Sequence, residues 1–372
     1  MNSPISRNPL IDAIKGLACA AIVWHHLAFY GPMSDTAQPL FPQLISWLYD
    51  YGRMAVQVFL VLGGYLAAAS LAPEGVARFG SPAHKIAQRF VRLVVPYAVA
   101  LLVAVLAAAL VRPWLEHPSV PADPHLSQLL ANALLLQDVV GEEALSAGVW
   151  YVAIDFQLFA LAVGVLALAR WLAGHGAGAV LLGRALVLAG CALSLWWWNR
   201  VPGLDMWAIY FFGAYGLGML AHWAVRAPRA LPWLVAMAML GGVALALEFR
   251  GRILVALLTA LGLVWALRRP WPQGGVQALV RPLQQLGQMS YSVFLLHFSV
   301  CLLVNALVAQ CWPQSPWANA LGMCAAFGLS LWVARPLYLH VERHVPDVAL
   351  ALRWQAALVG GGWLVALLRP VV

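Results

Sequence analysis

The stretch LIDAIKGLACAAIVWHHLAFY, Leu10–Tyr30, decides the fold. It is mostly apolar and has the length a helix needs to cross about 30 Å of hydrocarbon. Within it stand Asp12, Lys15, His25 and His26. Ionisable groups in a membrane helix are expensive and mark function by default. Eleven steps of 100° return to within about 20° of the start and rise roughly 16 Å, so Lys15 and His26 share one helix face at different depths. His25 is rotated about 80° from that face, which makes His26 the better candidate for chemistry. The stretch runs on without a small-residue cleavage site, so it reads as a retained helix and not a signal peptide.

The rest of the chain repeats the pattern. With 372 residues, 63% of them hydrophobic and 10% charged, and a mean hydropathy of +0.81, the composition excludes a soluble domain. Apolar spans read at 10–30, 54–72, 91–111, 149–169, 180–198, 206–225, 231–248, 253–267, 289–309, 317–334 and 351–368. The expectation is an all-α, polytopic transmembrane bundle of about 11 helices. No composition break, low-complexity tract or appended soluble domain is apparent, so residues 1–372 read as one membrane domain.

Lys and Arg fix the orientation. With the N-terminus cytoplasmic, sixteen lie on inner segments and six on outer ones, the asymmetry that the positive-inside rule demands. The formal net charge of +8 and pI near 9.5 are spread over these loops and form no basic module, which argues against nucleic acid as a partner and for the lipid bilayer. The five cysteines show no C-x-x-C spacing and receive no disulfide or metal role.

Several polar residues invite chemistry. His26 lies roughly 24 Å from the inner end of the first helix, and Asp155 about 9 Å below the outer end of the fourth. The two therefore reach similar depth, and a carboxylate beside an imidazole would orient it and raise its basicity, as a general base needs. Both also fit as satisfied polar residues of a packed bundle. In the inner loop 73–95, Lys85, Arg89 and Arg92 recur at i, i+4, i+7 and form a cationic stripe ahead of Pro96. The stripe suits a phosphate-bearing ligand, but orientation and anionic headgroups demand cations there as well. His297 suits a polar lining group or a bond to a backbone carbonyl or Ser hydroxyl. His340 and His344 have a metal-compatible i, i+4 spacing, yet read as part of a solvated inner loop. Gly63-Gly64 permits close backbone approach, and Trp196-Trp197-Trp198 reads as an interfacial anchor. The long outer loop, 112–148, contains a possible surface helix over 126–136 and reads either as a guide for an acceptor or as a solvated connector.

Taken in order, these segments resemble the acyltransferase-3 family of bacterial integral membrane O-acyltransferases, over essentially the whole chain. IDAIKGLACAAIVWHH is similar to the family's basic residue, ten residues and histidine, with Lys15 and His26 at those positions. YGRMAVQVFLVLGGYL resembles its second-helix signature, with Arg53 ahead of it. QRFVRLVVPY resembles its Arg-x-x-Arg segment, matched by Arg89 and Arg92. VWYVAIDFQLF and SYSVFLLH resemble its fourth-helix and late Ser-Tyr…His motifs. Gly63-Gly64 stands where the family usually has Ser-Gly, and Asp155 where it usually has Glu.

The resemblance implies transfer of an acetyl or other short acyl group from cytoplasmic acyl-CoA to a hydroxyl of an envelope glycan or lipid-linked saccharide. It places the chain in the bacterial cytoplasmic (inner) membrane and calls for no metal. His26 and Asp155 become the candidate catalytic residues, with Lys15, Arg89 and Arg92 for acetyl-CoA, and Arg53, Trp150, Tyr151 and His297 for substrate. A proton-coupled transporter using His26 and Asp155 as a relay is the rival reading.

Overall fold

The structure is a computed structural model that describes residues 8–270 and 275–368. Arg7 and Arg369, counted in the charge asymmetry, lie outside the described residues. Every regular element among the described residues is helical. Among the described residues eleven apolar helices carry the fold: α1 (Pro9–Phe29), α2 (Ala55–Leu71), α3 (Pro82–Val111), α4 (Trp150–Ala173), α5 (Ala177–Trp196), α6 (Ala208–Arg226), α7 (Leu231–Leu247), α8 (Gly251–Leu267), α9 (Ser290–Cys311), α10 (Pro316–Leu337) and α11 (Val348–Leu367). Nine helical stretches among the described residues are long and apolar enough to cross a membrane, and α7 and α8, at 17 residues each, are the shorter apolar helices.

Two expectations change. α3 begins at Pro82, so Lys85, Arg89 and Arg92 belong to the helix and not to the loop before it. Pro82 opens it at the first helical position, where a missing N–H is harmless, and the Ser81 hydroxyl accepts from the His84 N–H at 3.3 Å. This first part is amphipathic, so hydropathy alone does not reveal it. The helix also continues through Pro96. The second change is at 338–342, expected as loop, where α10 runs on as a π-helix, Tyr338–Glu342.

The described chain divides into two compact units. The first takes α1 up to Lys15, Val56–Phe90 and Ile154–Gln284; the second takes Gly16–Ala55, Val91–Ala153 and the chain from Gln285. In the first unit α2 and α6 touch backbone to backbone. A Cβ on Gly64 would stand 1.7 Å from the Tyr215 carbonyl oxygen, and one on Gly218 1.9 Å from that of Val61. Only glycine fits at either place, which gives Gly64 a packing role. Arginines strap the segment 72–80 down: Arg170 donates to the Phe79 and Gly80 carbonyls and Arg184 to that of Glu74. At the end of α5, Trp196 Nε1 donates to the Leu240 carbonyl at 3.0 Å, while Trp197 is 70% exposed.

In the second unit the loop 112–148 is a built structure. Arg112 pairs with Asp123 and donates to the Pro121 and Ala122 carbonyls. A short helix, Leu126–Ala133, follows, and its Asn132 donates to the Glu143 carbonyl and accepts from the Leu145 N–H. The loop thus returns tightly folded to the start of α4.

Candidate active site

His26 sits in the C-terminal half of α1 with 8% of its surface exposed. Its Nδ1 lies 2.5 Å from Nε2 of His297 on α9, and the two rings lie within 16° of parallel with centroids 4.8 Å apart. His297 is 1% exposed, and its Nδ1 meets the Phe294 carbonyl of its own helix at 2.7 Å. The carbonyl bond expected for His297 is present, together with a bond to His26 that the sequence did not suggest. His25 turns elsewhere, its Nδ1 2.9 Å from the Leu48 carbonyl.

The pair is closely enclosed. Gly148, just before α4, holds φ +76°, and a Cβ there would stand 3.0 Å from His26 Cε1 and 3.3 Å from the Phe294 ring. Tyr30 presents an edge to His26 at 5.3 Å, and Tyr151 packs on Phe294 at 5.9 Å. Trp150, half-buried, contacts Tyr151 edge to face at 6.3 Å. Tyr151 and His297 are therefore brought together around Phe294. Arg53 is exposed in a 3₁₀ turn, Gly52–Met54.

α9 is pinned at both ends. His297, Cys301 and Asn305 recur every four residues and so share a face. Asn305 accepts from the Met33 N–H at 3.1 Å and donates to the Tyr30 carbonyl at 3.2 Å, fastening the turn that ends α1. At the other end Glu342 accepts from the Ser292 N–H and hydroxyl at 3.0 and 2.6 Å, and Tyr291 donates to the Leu93 carbonyl at 3.0 Å. Sequence reasoning missed Asn305, Glu342 and Gly148. The four-residue recurrence after His297 was the one available signal for Asn305.

Asp155 belongs to the first unit, where its partner is a guanidinium. Arg89 donates to its carboxylate, and the guanidinium carbon lies 5.3 Å from the Phe159 ring centroid. The structure thus gives His26 an imidazole as its orienting neighbour and gives Asp155 a guanidinium. Gly63 belongs to the same cluster: a Cβ there would lie 3.6 Å from Asp155 Oδ1 and 3.2 Å from the Tyr215 ring. Arg92 is exposed, and Lys15 and Lys85 are half-buried. Among the described residues no group of three or more His, Cys, Asp or Glu side chains is arranged to hold a metal ion.

Nine helical stretches long and apolar enough to cross a membrane, among the described residues, with polar groups buried between helices, define a multi-pass membrane protein. The family model of acyltransferase-3, described as an acyltransferase domain, matches residues 8–338, and the chain belongs to this family of membrane acyltransferases. Comparison with curated proteins and with solved structures gave no match.

Proposed function

We propose that this acyltransferase moves an acetyl or other short acyl group, and not an aminoacyl group, from cytoplasmic acyl-CoA to a hydroxyl of an envelope glycan or lipid-linked saccharide at the outer face of a bacterial cytoplasmic membrane. The observation that carries the reading is the buried His26, held at Nδ1 by His297 and therefore able to use Nε2. In the proposed step His26 Nε2 takes the proton of the acceptor hydroxyl. The acceptor oxygen attacks the thioester carbonyl, the C–S bond breaks, and coenzyme A leaves as thiolate, which recovers the proton from His26.

Lys15 stands on the same face of α1 as His26, roughly 16 Å toward the inner side, which supports a role with the donor's phosphates. Arg89 and Arg92 on α3 are the other proposed phosphate ligands, since guanidinium binds phosphate oxygens in bidentate fashion. Asp155 then acts through Arg89: it holds the guanidinium in place. Trp150 and Tyr151, which lead into α4 beside Phe294, are proposed to contact the acceptor together with Arg53.

The test is mass spectrometry of envelope glycans and glycolipids from cells with and without the chain, combined with labelled acetyl-CoA supplied to membrane vesicles. Loss of an acyl ester in cells lacking the chain, and label appearing in the same fraction, are expected. Unchanged esters, or proton-coupled solute uptake without any acyl donor, would contradict the proposal.

A further inference from the structure

The hydrogen-bond chain through His297 has a direction. The Phe294 carbonyl can only accept, so Nδ1 of His297, 2.7 Å away, carries the hydrogen. A neutral imidazole has one N–H, which leaves a lone pair on Nε2 of His297. That lone pair faces His26 Nδ1 at 2.5 Å, a separation at which two lone pairs would repel, so His26 Nδ1 supplies the hydrogen. The basic nitrogen of His26 is then Nε2.

We infer that His297 is a positioning residue: as a hydrogen-bond acceptor it locks His26 in the Nδ1–H tautomer and directs the basic Nε2 to the acceptor hydroxyl. The inference rests on the reading of His26 as general base. It assigns to a second imidazole and a backbone carbonyl the task that a carboxylate performs in an Asp–His arrangement. When His26 Nε2 takes the acceptor proton, the new imidazolium keeps its Nδ1–H bond to His297 Nε2. The charge is shared along a chain ending on the Phe294 carbonyl dipole. The rings stay fixed because α9 is fastened to the end of α1 by Asn305, and because Gly148 leaves no space over the His26 ring edge.

The test uses the full-length protein in lipid, as wild type, His297→Leu and His297→Gln, the last of which returns an acceptor oxygen near the place of Nε2. The first readout is ¹⁵N NMR of histidine-labelled protein, with the His26 signals identified by their loss in His26→Gln. The wild type is expected to show a protonated Nδ1 and an unprotonated Nε2 at His26; His297→Gln should keep this state and His297→Leu should lose it. The second readout is transfer of labelled acetyl from acetyl-CoA to vesicle envelope material. His297→Leu should lower kcat on the order of 10²-fold with little change in KM for acetyl-CoA, and His297→Gln should stay within about tenfold of wild type. An Nε2–H tautomer at His26 in the wild type, or equal rates in the Leu and Gln variants, would overturn the inference. A His26→Gln protein with near-normal transfer would overturn the base reading instead, whatever the tautomer.

Discussion

Arg89 on α3 donates to the carboxylate of Asp155 on α4, the Asp155 side chain being 11% exposed and that of Arg89 33%. A pair so placed fixes the direction of a guanidinium more than it stabilises the fold, because a partly wet ion pair contributes only about 0–1 kcal/mol. Asp155→Asn removes the charge and keeps an acceptor. KM for acetyl-CoA should rise roughly fivefold, within the free energy such a pair supplies, with kcat nearly unchanged. Steady-state kinetics with acetyl-CoA varied will check this; a fall in kcat at constant KM would place Asp155 at the chemistry instead.

Gly148→Ala should damage the site more than the fold. The added methyl would meet His26 Cε1 at 3.0 Å in a backbone region that L-residues avoid. His26 is held by His297 and has little freedom to yield. The expected outcome is at least a tenfold loss of acetyl transfer, with a stability cost of about 1–2 kcal/mol from the left-handed conformation. Activity compared with thermal unfolding of the same preparation separates the two effects.

Asn305→Ala should act in the opposite sense, on stability first. It leaves the Met33 N–H without its acceptor and the Tyr30 carbonyl with the weaker Cys301 thiol donor at 3.5 Å, in a place where Asn305 itself is 2% exposed. The expected loss is about 2–3 kcal/mol, since an unsatisfied buried group costs about 1–3 kcal/mol. Asn305→Asp keeps the acceptor alone and should fall between. Thermal unfolding in detergent, monitored by helix signal, is the measurement.

The polytopic helical bundle was legible because runs of apolar residues of bilayer length have few alternative readings, and nine such stretches stand among the described residues. Pro82–Phe90 was not, since a basic amphipathic helix end carries no hydropathy signal. Lys15 and His26 could be placed on one face because both lie on one helix, where 100° per residue settles the matter. The partners of His26 and Asp155 lie on other helices, and a single chain's periodicity does not say which helices adjoin or how they are turned. Glu342 was hidden for a related reason: its helical continuation is set by packing at the end of α10, while its own segment reads as polar loop.

The central claim, that His26 is the base, is tested most directly by acetyl transfer from labelled acetyl-CoA with purified His26→Ala protein whose helix content and unfolding temperature match wild type. The account predicts a fall in kcat on the order of 10²- to 10⁴-fold, the span of a general base's contribution. A rate near that of the wild type would contradict it.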